Sequence, residues 1–165
     1  KKKKERKKMF RKEGVDDLVM VSSPSNSSIT SHLKVRLNRE QIYTNIGDVL
    51  VSCNPFKYLP ITGDEYIKMY QSLAPGSEAP PHVYNLAEKA YRRLVDDKES
   101  QCVIISGESG AGKTVAAKLI LKYICAVSPG GGGYGAMTGA HGGNAAMQQS
   151  FGPRGSGGMQ GMRGG

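Results

Sequence analysis

The chain has 165 residues and a net charge of +9, a length that holds one domain at most. Residues 1–12 carry nine Lys or Arg against one Glu, so the basic balance belongs to a terminal arm and does not describe a nucleic-acid-binding domain. Three cysteines, Cys53, Cys102 and Cys125, show no C-x-x-C spacing and read as reduced intracellular thiols, and no apolar run approaches the roughly 20 residues of a membrane-spanning helix.

In chain order, residues 1–13 form a basic arm expected to be disordered, either solvated or in contact with an anionic membrane or another acidic surface. Globular material is expected over 14–128. Ile29, Leu33 and Leu37 recur at four-residue spacing and predict a short helix. Val49, Leu50 and Val51 predict a strand near 48–53 that ends at Asn54-Pro55, a pair that suits a turn. Thr62-Gly63-Asp64-Glu65 has the pattern of a capping box, with Thr62 as N-cap and Tyr66, Ile67, Tyr70 and Leu73 as the apolar face behind it. Ala74-Pro75-Gly76 stops that helix, and Pro80-Pro81 opens another with Val83, Leu86, Ala87, Ala90, Tyr91 and Leu94 on one face. Cys102-Val103-Ile104-Ile105 predicts a buried strand over 102–106. A helix from Val115 to Val127 follows, its stripe of Val115, Ala116, Leu119, Ile120, Tyr123, Ile124 and Val127 expected to pack on a sheet. Residues 129–165 are a Gly/Met-rich low-complexity tail, expected to be disordered because it offers no apolar period and almost no charge. With only Arg154 and Arg163 in it, the tail does not predict RNA binding.

Between the predicted strand and the last helix lies Ser106-Gly107-Glu108-Ser109-Gly110-Ala111-Gly112-Lys113-Thr114, a complete G-x-x-x-x-G-K-[ST] phosphate loop in its required context. Gly107, Gly110 and Gly112 let the backbone turn tightly and approach a ligand closely. The loop N–H groups and the helix N-terminus then converge where an anion is favoured. Lys113, the candidate catalytic residue, reaches terminal phosphates, and the Thr114 hydroxyl is a candidate ligand of Mg2+. The fold class this predicts is α/β, a P-loop NTPase-type mixed sheet with flanking helices. Only two strands are legible where such a sheet needs about five or more, so the chain is expected to carry the first part of a larger domain.

The loop and three further blocks resemble the myosin motor domain. Gly-Glu-Ser-Gly-Ala-Gly-Lys-Thr at 107–114 is that family's own form of the phosphate loop. Asn54-Pro55-Phe56-Lys57-Tyr58-Leu59-Pro60 is similar to its purine-binding loop. Pro80-Pro81-His82-Val83-Tyr84 resembles the start of the helix before the phosphate-loop strand, and Gly14-Val15-Asp16-Asp17-Leu18 the opening of the motor core. The run Val115 to Lys118 and the turn at Ser128-Pro129 look most like class I myosins. The resemblance spans about residues 14–130. It departs at Thr62, where the family often carries an aromatic.

The resemblance implies an actin-activated ATPase that converts hydrolysis into movement in the cytoplasm, on the actin cytoskeleton. The implied cofactors are ATP and Mg2+. Asn54 would hydrogen-bond the adenine, with Pro55, Phe56, Lys57 and Tyr58 around the base. Gly107, Glu108, Ser109, Gly110, Ala111 and Gly112 would cradle the phosphates, with Lys113 on the β/γ oxygens and Thr114 on the metal. The implied partners are the actin filament and, in the full-length parent, a calmodulin-like light chain. The family's switch I string (Asn/Ser/Ser/Arg/Phe/Gly) and switch II string (Asp-Ile-x-Gly-Phe-Glu) do not occur in the sequence. Two readings therefore stand: the ATP-binding part of a class I-like motor, or a truncated nucleotide-binding fragment without motor or ATPase activity. A different phosphate-loop enzyme, such as a kinase, is argued against by a purine loop that precedes the phosphate loop.

Overall fold

The computed structural model describes residues 14–74 and 76–130. The basic arm, and the low-complexity tail beyond Gly130, lie outside the described residues.

A single 3-10 turn, Leu18–Met20, follows Asp17, whose carboxylate caps it by accepting from Val19 N–H at 2.9 Å. Helix α1 spans Asn26–Asn38. It starts at a reciprocal capping box between Ser25 and Ser28, which satisfies donors that a helix start leaves open. The expected residues Ile29, Leu33 and Leu37 are only half-buried; the buried side chain of α1 is Arg36, 3% exposed. Its guanidinium donates to Gly14 O at 3.2 Å and to Tyr43 O at 2.7 Å, and it pairs with Asp16. One arginine thus fastens the start of the described chain, α1 and the first strand together.

Strands β1 (Tyr43–Ile46) and β2 (Val49–Ser52) form a two-stranded antiparallel hairpin in the register Tyr43↔Ser52 to Ile46↔Val49. The two-residue turn places Gly47 at φ 58°, the sign a tight hairpin needs at that position. β2 matches the expected strand, whereas β1 was not foreseen. Helix α2 covers Asp64–Gln71, α3 Val83–Val95 and α4 Lys113–Val127.

Three expectations are corrected. Thr62 is not an N-cap: α2 begins one residue later, at the Gly63 cap, without a side-chain cap bond. The carboxylates of Asp64 and Glu65 sit in its first turn, where negative charge is favoured. Residues 102–106 form no strand, because no neighbouring strand among the described residues offers them a ladder; Ile104 is 87% exposed. The stripe of α4 packs on helix α3 instead of a sheet. The sheet of the described residues is therefore a hairpin and not a mixed sheet of several strands.

The core lies between α2, α3, α4 and β1, around Tyr43, Tyr70, Tyr84, Leu119 and Tyr123. Tyr84 and Tyr123 rings meet at 5.3 Å between α3 and α4, and the Tyr123 hydroxyl donates to Glu88 at 2.8 Å. Glu88 also pairs with Arg92, which in turn donates to the carbonyls of Gln71 and Leu73 at the end of α2. His82 caps α3, its Nδ1 accepting from Tyr84 N–H at 3.0 Å. No helix among the described residues is long and apolar enough to cross a membrane.

Candidate functional site

The phosphate-loop residues bridge segment 101–105 and α4. Gly107, Gly110 and Gly112 all take positive φ, at 156°, 79° and 99°. At Gly107 a Cβ would also sit 3.2 Å from that of Ala111, tighter than ordinary packing tolerates. Gly112 is the N-cap of α4 and so supplies no side-chain acceptor; the first turn holds no acidic residue. The first N–H groups of this helix lack partners within it, and the dipole puts its positive end there. The chain places no anionic cap at that end, and the cradle suits a phosphate.

Lys113 lies in the first turn of α4 and is exposed. Its ammonium donates to Gly107 O at 2.6 Å and to Glu108 O at 2.8 Å, folding the charge back over the loop. Ala111 N–H donates to the same Glu108 carbonyl at 3.2 Å, closing a turn from Glu108 to Ala111. Thr114 is exposed beside Lys113, and Ser109 in the loop is exposed as well.

The second predicted segment stands against the first. Asn54 Nδ2 donates to Gly110 O at 2.8 Å across 56 residues of sequence. Asn54 Oδ1 accepts from Phe56 N–H at 2.9 Å, which fixes the turn and holds Phe56 at φ 50°. A non-glycine residue there is strained, and such strain gathers at functional sites. The Phe56 ring is 76% exposed, and Lys57 and Tyr58 are exposed too, while Pro55 is half-buried. Lys57 pairs with Glu40, itself at φ 62°. A cavity of about 60 Å³ beneath the loop is lined by Tyr43, Pro55, Tyr58, Thr62, Val115 and Leu119.

This floor is held firmly. Thr62 O accepts from the Tyr84 hydroxyl at 2.8 Å and from Lys122 at 3.1 Å, tying the loop's far end to α3 and α4. Burial pushes the Cys53 thiol up, so the residue before Asn54 is a neutral packing group. Burial also raises Tyr70, to about 12, and raises Tyr43 further.

The structure thus joins Asn54 to the phosphate loop directly and leaves Phe56, Lys57 and Tyr58 on accessible surface. Sequence reasoning missed Glu40 and the Asn54–Gly110 bond. No pattern near Asn38-Arg39-Glu40 marks the first, and the second depends on a backbone carbonyl whose direction only the loop conformation sets.

Among known proteins, the family described as "Myosin head (motor domain)" matches residues 15–138. Similar chains include the myosin-K heavy chain of Dictyostelium discoideum, 65% identical over 132 residues, 77% of this chain and 15% of that protein. The myosin IB heavy chain of the same organism is 54% identical over 122 residues, 74% of this chain and 11% of that one. Myosin-1 of Aspergillus fumigatus is 51% identical over 117 residues, 71% of this chain and 9% of that one. The chain therefore spans a small share of each relative's length. With a family match across most of its described residues and class I myosins among its relatives, the chain belongs to the myosin head (motor domain) family.

Proposed function

We propose that this chain holds the ATP-binding part of an actin-based motor, with the phosphates seated on residues 107–114 and the purine beside residues 54–58. The observation that carries the reading is the start of α4. It is capped by a glycine without a side-chain bond, has no acid in its first turn, and carries Lys113 over a loop of three positive-φ glycines. In the whole protein, further strands would extend the fold into a P-loop NTPase-type mixed sheet.

The residues present fit Mg-ATP. The loop amides and the N-terminus of α4 bind and orient the phosphates by partial positive charge. Lys113, now bonded to two loop carbonyls, would hold the terminal phosphates, where charge shifts most during transfer. Thr114 offers its hydroxyl to the metal. Bound Mg2+ supplies charge neutralisation and orientation of the terminal phosphate. Asn54, Pro55, Phe56, Lys57 and Tyr58 form the wall on the base side, with the Phe56 and Tyr58 rings accessible for stacking.

The actin filament is the proposed track, and a calmodulin-like light chain a proposed subunit of the whole protein. The basic residues 1–12 are a proposed contact for anionic membrane, and no nucleic acid is proposed as a partner. The proposed location is cytoplasmic, on the actin cytoskeleton, at the cell cortex or membrane. Calorimetric titration with Mg-ATP tests the reading: one saturable site is expected, lost in Lys113→Ala. Equal affinity in the two proteins refutes it.

A further inference from the structure

Asn54 spends both ends of its side-chain amide inside the protein. Nδ2 donates to Gly110 O at 2.8 Å, and Oδ1 accepts from Phe56 N–H at 2.9 Å. The peptide between Gly110 and Ala111 is thereby held at both its groups: the carbonyl by Asn54, and the N–H by Glu108 O at 3.2 Å. A trans-planar peptide carries its C=O and N–H on opposite sides, so fixing one fixes the other. Gly110 stands at φ 79°, with nothing within 4 Å of where a Cβ would be. Glycine in open space is the residue whose flanking peptides turn most freely. Apart from Lys113, whose side chain would leave its carbonyl acceptors for the phosphates, the side chain that holds this part of the loop among the described residues is Asn54.

We propose that Asn54 is a positioning residue of the phosphate site: by latching residue 54 to the Gly110 carbonyl, it preorganises the loop for polyphosphate, whatever base is attached. The inference rests on the nucleotide reading above and changes its division of labour. Pro55 to Tyr58 line the base side, and Asn54 serves the phosphates. Preorganised donors bind a ligand without the ordering cost a loose loop would incur. A latch that acts on the loop alters affinity for pyrophosphate, ATP and GTP alike. A side chain that reads the purine edge alters ATP against GTP and leaves pyrophosphate untouched.

The test titrates the full chain with Mg-pyrophosphate, Mg-ATP and Mg-GTP, comparing wild type with Asn54→Ala. Alanine removes both bonds, and losing the one to Gly110 O predicts that all three weaken by a common factor, about three- to tenfold. An unchanged pyrophosphate affinity with a shifted ATP/GTP ratio overturns the proposal. A second measurement needs no ligand: hydrogen exchange at the Ala111 amide is expected to speed up several-fold in Asn54→Ala. Asn54→Asp keeps the acceptor for Phe56 N–H and loses the donor to Gly110 O, so it should exchange as fast as the alanine variant. Unchanged Ala111 exchange in Asn54→Ala, or protection restored by aspartate, overturns the latch. Failure of wild type to bind any of the three ligands would refute the nucleotide reading, while the exchange result still decides the latch.

Discussion

Lowering the pH from 7 to 4 should destabilise the chain through one imidazole. His82 is 5% exposed, stacked between Tyr66 and Tyr70 with ring centroids at 5.7 and 5.0 Å, and met edge-on by Tyr43 and Tyr84 at 4.9 Å. Its Nδ1 accepts from Tyr84 N–H, so the neutral ring carries its proton on Nε2 and donates to Ile61 O at 2.9 Å. Protonating Nδ1 would set two donors against each other in a buried site. Burial pushes the pKa from 6.5 to about 4, against the opposing pull of the Ile61 carbonyl. Among the described residues, the titratable rings that meet it are those of four tyrosines. The unfolded chain therefore binds a proton below about pH 6.5 that the folded chain refuses until about pH 4. The contribution is whole above pH 6.5, falls as pH falls, and is gone by about pH 4. At about 1.4 kcal/mol per pH unit, the loss totals about 3 kcal/mol. Urea unfolding at pH 7 and pH 4.5 measures it against His82→Asn, which keeps an N-cap acceptor for Tyr84 N–H and does not titrate. Carboxylates titrating in the same range cancel in the comparison. A wild-type stability curve parallel to that of His82→Asn, or an imidazole that titrates near 6.5 by NMR, would refute the reasoning.

Two further outcomes are expected. The 165-residue polypeptide, whose sequence holds neither switch string, should release phosphate from ATP no faster than its Lys113→Ala variant; steady-state release clearly above that control would sink this expectation. Tyr123→Phe removes the buried hydroxyl that donates to Glu88, and should cost about 1–3 kcal/mol in urea unfolding. A change within about 0.5 kcal/mol, the range of an ordinary surface substitution, would show that the Glu88 network carries no such weight.

Much of the candidate site's backbone geometry was legible in the sequence because its signals are local. Glycine spacing marks the candidate phosphate loop, and Gly107, Gly110 and Gly112 take the positive φ angles that such spacing anticipates. Helices α2 and α3 followed from apolar spacing, although the cap moved from Thr62 to Gly63 because the acids of the first turn suffice there. What escaped was non-local. Tyr43–Ile46 carries polar Thr44 and Asn45 and shows itself as a strand only through its pairing with Val49–Ser52. Arg36 reads as a solvated helix residue, yet it is buried because three segments present oxygens to it. Cys102 to Ile105 has a buried strand's composition, and composition states what a segment needs without stating whether the neighbours are present.

That same segment has a consequence for the chain in solution. Cys102-Val103-Ile104-Ile105-Ser106 is uncharged, β-branched and free of proline and glycine, with its backbone unpaired by any strand among the described residues and Ile104 almost fully in water. Such a stretch is a template for pairing with another copy of itself. Encounters between copies grow with the square of their number, whereas the folding of each copy does not depend on the others. Self-pairing through such a stretch would therefore grow with concentration, while folding would not.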